Sequence, residues 1–266
     1  MSTEAPRYAI YETKPMLDAL EHDGYATIAH ALSPQQCAQA RAMIDAMQPV
    51  HWDEVAAGAT DKPGRRIDRY LCVFNRDPYW LQFIDRPGVI ELAEATLGAD
   101  CHIIGMTAWR SHPGHRSEAL HVDYLPFASS DSALPALSHI AIFIMTVHFY
   151  LTDVTADLAP TRIVPSSHRA GRAPRDFEND WQGRAPEIIL ARAGDALVFR
   201  SDVWHAGSDN RSQRDIRYLL QVHYGRREMA QHFSPFMEWR FNPAVLTAAS
   251  KRQRRLLGDH DPAAYD

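Results

Sequence analysis

The sequence predicts a mainly β chain, an antiparallel sandwich or jelly roll with helices on its flanks. Three observations predict it. From residue 101 onward, short segments rich in β-branched and aromatic residues recur between loops, the clearest running from Ser138 to Asp153. Turn residues punctuate them, as at Gly194-Asp195. Before residue 100 the apolar residues recur instead at three- and four-residue steps, a helical period.

The elements follow in order. Tyr25 to Ala29 is strand-like and opens the ordered part. Ser33-Pro34 reads as a helix N-cap followed by a proline at the first helical position. Cys37, Ala40, Ile44 and Met47 then form one apolar helical face, and Pro49 closes the helix. Residues 51 to 75 read as a long loop around Gly58, Pro63 and Gly64, with Arg65, Arg66 and Arg69 clustered in it. A helical region covers about 78 to 97, divided by Pro87 and stopped by Gly98. Strands are expected at Cys101 to Ser111, Ala119 to Asp123, Ser138 to Asp153, Thr161 to Val164, Glu187 to Ala191, Ala196 to Arg200 and Ile216 to Gly225. One more helix, about Pro243 to Leu257, carries a basic face of Lys251, Arg252, Arg254 and Arg255 that is expected to lie in solvent. The 266 residues are expected to form one domain: a helical N-terminal part to about 100, a jelly-roll core over about 101–226 and a helical tail over 227–266.

Composition narrows the function. The 45% hydrophobic and 23% charged residues are the balance of a globular chain with a sizeable core. A net charge of -5 argues against a sequence-independent nucleic-acid binder, which needs a basic surface. Cys37, Cys72 and Cys101 are few, odd in number and widely spaced. No disulfide framework is implied, and a reducing, cytoplasmic setting fits. The N-terminus lacks a secretory profile, and the apolar run Ile140 to Leu151 is too short to span a bilayer as a helix. A small-molecule partner is expected, with no nucleic acid and no membrane, for a monomer or homodimer.

The chemistry-bearing pattern is His121-Val122-Asp123 with His205, 82 residues beyond Asp123. Redox iron(II) sites use two imidazoles and one carboxylate on one face of the ion, leaving the other face open. On a strand, His-x-Asp puts both side chains on the same side. Among 14 histidines and 22 aspartates, roughly one such pair arises by chance, so the motif alone is weak. A rival, His51-Trp52-Asp53, lies between a helix end and the Gly/Pro loop, not in a strand. The segment around His205 favours the first pair: the Gly194-Asp195 turn feeds an apolar strand that delivers His205, and Asn210, Arg217 and His223-Tyr224 follow. Arg217 opens an alternating strand and can pair with a carboxylate bidentately.

Over nearly its whole length the chain resembles the phytanoyl-CoA dioxygenase family of iron(II)/2-oxoglutarate oxygenases. The pieces that carry the likeness are Asp23-Gly24-Tyr25, the Ser33-Pro34 helix, Ile90 to Gly98, His121-Val122-Asp123, Thr161 to His168, Gly194-Asp195, His205, Asn210, Arg217 and Leu256-Leu257-Gly258. The resemblance implies a double-stranded β-helix, the cupin-like jelly roll. It implies His121, Asp123 and His205 as iron ligands, Arg217 as the anchor of the distal carboxylate of 2-oxoglutarate, and O2 as oxidant. Arg214 competes with Arg217, because the spacing from His205 is slightly longer than in the family. A hydroxyl near the distal histidine is also implied; Ser208 and Thr161 are the candidates. The family usually has Pro-Gly-Ser-His where this chain has Pro165-Ser166-Ser167-His168.

The activity so implied is hydroxylation of an unactivated C–H bond of a small molecule, with release of succinate and CO2. Related halogenases lack the carboxylate that Asp123 supplies. Desaturation, epoxidation and ring closure in natural-product biosynthesis are the alternatives within the same chemistry. A non-oxidative metal-dependent jelly-roll enzyme or a binding module are the alternatives outside it. Tyr124, Phe127 and Trp204 are expected to line the substrate pocket. Trp109 and Phe149 are weighed evenly against core packing. Arg65, Arg66 and Arg69 could meet an anionic substrate, although a solvated loop face is the commoner use of such a cluster.

Overall fold

The computed structural model describes residues 6–49, 66–126, 140–233 and 239–262. Among these residues ten strands run β1 (Arg7–Tyr8), β2 (Tyr25–Ile28), β3 (Ile67–Leu71), β4 (His102–Ser111), β5 (Ile144–Tyr150), β6 (Thr161–Ile163), β7 (Glu187–Ile189), β8 (Ala196–Arg200), β9 (His205–Gly207) and β10 (Arg217–Gly225). The α-helices are α1 (Thr13–His22), α2 (Pro34–Asp45), α3 (Leu81–Ile84), α4 (Val89–Leu97), α5 (Pro243–Ala248) and α6 (Lys251–Leu256). The strands form a seven-stranded sheet, β1-β2-β8-β5-β10-β4-β3, and a three-stranded sheet, β7-β6-β9. Apart from the β1–β2 pair, the pairing is antiparallel, as in a jelly roll.

Period-two alternation divides the large sheet into two faces. Met106 and Ala108 of β4, Met145, Val147 and Phe149 of β5 and Leu220, Val222 and Tyr224 of β10 face the helices, packing with Met16, Leu20, Phe83 and Val89. Their neighbours Trp109, His148, Leu219, Gln221 and His223 face the small sheet and line a cavity. Both faces are therefore covered, and all seven residues of β5 are buried. Phe149 belongs to the helix face, with its ring 6.0 Å from Phe83, so it does not line the pocket. Full burial of such a ring contributes about 1.5–3 kcal/mol.

Local sequence sets the element ends. Ser33 caps α2 by accepting from the Gln36 amide at 3.2 Å, while Gln36 Oε1 accepts from the Ser33 amide at 3.0 Å. Cys37, Ala40 and Ile44 are its buried face. Gly194 opens the turn before β8 with φ +97, and a Cβ there would lie 2.4 Å from the Leu32 carbonyl oxygen, so glycine is required twice over.

Four expectations need correction. Residues 67–71, taken as loop, form β3 and pair with β4, an edge strand hidden behind the arginine-rich approach. Ala119 to Asp123 makes only a single bridge, at His121. The C-terminal helix is two, because Ala249 turns extended (ψ 129) and Ser250 caps a new one. Its basic face is not simply solvated: Arg255 donates to Glu94 at 2.5 Å, and Arg252 reaches Asp85, Glu91 and Glu94. Among the described residues no helix is long and apolar enough to cross a membrane.

Candidate active site

The cavity between the two sheets holds about 260 Å3. His205 opens β9, where its amide and carbonyl bond those of His121 at 3.0 and 2.9 Å. This bridge brings the two imidazoles to 4.5 Å between ring centres. Asp123 is held by its amide, which donates to the Ser201 carbonyl at 2.9 Å. Its Oδ1 lies 3.8 Å from His121 Nε2 and 3.6 Å from His205 Nε2. The three ligand atoms lie within 4.8 Å of one another.

The donor set fits a divalent transition metal. His121 Nδ1 lies 3.0 Å from the Ala119 carbonyl, and His205 Nδ1 lies 3.0 Å from the Val203 carbonyl. A carbonyl oxygen accepts only from N–H, so both imidazoles carry their proton on Nδ1 and turn a free Nε2 lone pair toward Asp123. Burial works against the Asp123 charge, but the imidazoles of His205, His223, His121 and His232 outweigh it and hold the carboxyl below its ordinary range. Burial pushes His205 down, against the pull of the Asp123 carboxylate. His51 and Asp53, the rival pair, lie outside the described residues.

Arg217, the first residue of β10, points into the same cavity. It pairs with Ser111 in the β4–β10 register, and its Nη2 donates to Ser111 Oγ at 3.3 Å. Nη1 donates to the Ala159 carbonyl. Nε has no hydrogen-bond partner among the described residues. Burial lowers the Arg217 pKa, as expected for a charge taken out of water. Arg214 is exposed in the preceding loop and is not among the cavity-lining residues.

The other expected residues divide. Thr161 lines the cavity and its Oγ1 accepts from Tyr150 Oη at 3.1 Å. Ser208 does not line it; its amide donates to the Pro160 carbonyl at 3.0 Å. Trp109 and Arg69 line it, with the guanidinium 4.9 Å from the indole centre. Trp204 is fully buried with Val164 and Ala170, its Nε1 donating to the Arg172 carbonyl at 2.8 Å, away from the cavity. Tyr124 is half-buried and outside the lining. Phe127 and Arg65 lie outside the described residues. Arg66 lines a larger surface cavity of about 760 Å3, next to the first and sharing His115 with it.

Sequence reading missed His148 and Gln221 and gave His223 no role in the cavity. Parity carried the signal for two of them: with Arg217 facing inward, residues 219, 221 and 223 follow. His148 lies on a strand buried on both faces, where alternation gives no sign. The Pro165-Ser166 departure is also explained. Ser166 adopts the left-handed conformation (φ 62) that glycine reaches freely. It is held there by Oγ donating to the His22 carbonyl at 2.8 Å and accepting from Arg184 at 2.6 Å.

A family profile, phytanoyl-CoA dioxygenase (PhyH), matches residues 20–218. The chain belongs to this family. Enzymes of this family are iron(II)/2-oxoglutarate oxygenases that use O2 as oxidant. The dioxygenase af480 of Aspergillus fumigatus is 26% identical over 166 residues, 61% of this chain and 48% of that protein. The chain thus spans about half the length of that relative. The L-proline trans-4-hydroxylase of Streptomyces griseoviridis is 24% identical over 245 residues, 80% of this chain and 87% of that enzyme. Among solved structures, the epimerase SnoN in complex with Fe3+, alpha ketoglutarate and nogalamycin RO superposes with a TM-score of 0.62. It is 17% identical, and the match covers 81% of this chain and 84% of that one, a likeness of fold.

Proposed function

We propose that this oxygenase hydroxylates an unactivated C–H bond of a small molecule, with iron(II) held by His121 Nε2, Asp123 and His205 Nε2. The observation that carries the reading is Arg217. A guanidinium buried in the same cavity as the two-histidine, one-carboxylate cluster, with Nε unpaired among the described residues, calls for an anion. The distal carboxylate of 2-oxoglutarate is that anion, and it gives the arginine the charge-assisted bonds it lacks.

Bound iron(II) supplies the oxidation, coupling O2 and 2-oxoglutarate to succinate, CO2 and a hydroxylated product. The protein's own residues orient and exclude. Arg217 fixes the far end of the cosubstrate. Thr161 offers a hydroxyl to the cavity beside it, and Leu219 and Ile67 keep the wall partly apolar. Asp123 supplies the carboxylate that halogenases of this class lack, which supports hydroxylation over halogenation.

The experiment is turnover of 2-oxoglutarate by the iron(II)-loaded protein in air, followed as succinate, with a panel of small substrates scored for gain of one oxygen. Succinate with an oxygenated product supports the reading. Succinate with loss of two hydrogens would move it to desaturation, and no succinate under any condition would remove it.

A further inference from the structure

Three side chains on neighbouring strands form a directed chain across the cavity wall. Trp109 Nε1 lies 3.0 Å from Gln221 Oε1, and Gln221 Nε2 lies 3.2 Å from His148 Nε2. An indole nitrogen only donates, so the atom facing it must be the amide oxygen. That fixes the Gln221 amide and turns its NH2 toward His148. An NH2 group only donates, so His148 Nε2 must be the acceptor. The proton of the neutral imidazole is therefore on Nδ1. His148 is 6% exposed, and Nδ1 has no partner among the described residues. Among the described residues the chain thus ends in a buried N–H with no acceptor, which a fold tolerates only at a cost.

The place of that N–H points to its acceptor. His148 lines the cavity that holds the metal cluster and Arg217. It pairs with Gln221, four residues beyond Arg217 on β10. That is roughly 14 Å along the strand, at about 3.4 Å per residue. The long Arg217 side chain and a five-carbon dicarboxylate between them span such a distance. His148 then stands beside the end of the molecule nearer the metal cluster.

We propose that His148 is a positioning residue for the cosubstrate: its Nδ1–H, oriented by Trp109 through Gln221, donates to the C1 carboxylate of bound 2-oxoglutarate. The inference rests on the proposed cosubstrate reading and adds a contact at the end opposite Arg217. It also gives the Trp109–Gln221 pair a purpose, which is to hold one imidazole tautomer.

Two measurements test it. The first is anaerobic calorimetry of 2-oxoglutarate binding to the iron(II)-loaded protein. His148→Phe keeps the ring volume and removes the donor, and it should weaken binding by about tenfold to a hundredfold, the worth of a hydrogen bond to a charged group. His148→Asn puts an amide N–H near the Nδ1 position and should retain most of the affinity. The second is nitrogen NMR of the zinc(II)-substituted, histidine-labelled protein, which should place the His148 proton on Nδ1 and shift it when 2-oxoglutarate is added. Wild-type affinity in His148→Phe, equal loss in both variants, or a proton on Nε2 would each overturn the proposal and leave the cosubstrate reading standing. Absence of 2-oxoglutarate binding to the wild-type protein would remove both. His148→Phe deletes the unmet Nδ1–H but strands the Gln221 NH2, so without ligand it should melt close to the wild type with unchanged circular dichroism, and this separates lost binding from lost folding.

Discussion

His121 and His205 exchange both backbone hydrogen bonds, at 2.9 and 3.0 Å, so the imidazole pair is set by a β-bridge and needs no metal to form. The chelated protein is therefore expected to keep its fold, and added iron(II) to raise the melting temperature by mass action. His121→Ala or Asp123→Ala should reduce iron(II) affinity by more than the about 10–100-fold typical of a lost outer-shell partner. Chelator competition, with far-ultraviolet circular dichroism unchanged, checks this.

Arg217, which opens β10, and Arg214 in the loop before it make opposite predictions. Arg217→Leu removes the buried guanidinium and should cost about a hundredfold in 2-oxoglutarate affinity, the worth of charge-assisted bonds. Its melting temperature should change little, since the bonds lost to the Ala159 carbonyl and Ser111 are offset by removal of a buried charge. Arg214→Ala, at an exposed position, should leave both unchanged. Calorimetry on the two variants side by side decides between the anchors.

A buried ion pair supports the metal cluster from behind. Arg200 Nε and Nη2 donate to the two oxygens of Asp202 at 2.7 and 2.8 Å, and Nη2 also reaches the Ile140 carbonyl at 2.8 Å. Between them, Ser201 offers the carbonyl that holds the Asp123 and Tyr124 amides. Asp202→Ala leaves a buried guanidinium unpaired and should destabilise the protein by about 3–5 kcal/mol. Urea unfolding measures it, and metal affinity should fall in parallel because Asp123 loses its tether.

Acid should weaken the fold before the carboxylates titrate. Burial pushes His168 down to about 2, from an ordinary value near 6.5. A depressed histidine contributes stability that is complete above about 6.5 and is lost as pH falls toward the folded-state value. His168 alone should cost roughly 2 kcal/mol between pH 7 and 5. Urea midpoints of metal-free wild type and His168→Leu at the two pH values check this; the variant should show the shallower dependence. Equal slopes would assign the effect to other groups, such as His223, which burial pushes down to about 4.

The sequence foreshadowed the jelly roll because half-covered and β-branched segments announce themselves, and the α2 capping box is a purely local signal. Other parts depended on tertiary context. α1 carries Pro15 in its first turn and begins in polar residues, so its helix shows only once Met16 and Leu20 find the core. β3, five residues with only Tyr70 buried, forms because β4 offers it an edge. The metal-ligand candidates were legible through spacing and type. Trp204 was not, since adjacency to His205 in a strand sends it to the opposite side, into a separate cluster. His148 and Gln221 were silent for the same reason: their role depends on what stands across the strand, not beside them in the chain.

One cavity is expected to hold both the metal and the cosubstrate. The direct measurement is a crystal structure of the protein grown anaerobically with manganese(II) and 2-oxoglutarate. The metal is expected on His121 Nε2, Asp123 and His205 Nε2, with the distal carboxylate of 2-oxoglutarate on Arg217. A metal bound at His51 and Asp53, or a distal carboxylate seated on Arg214, would contradict the account.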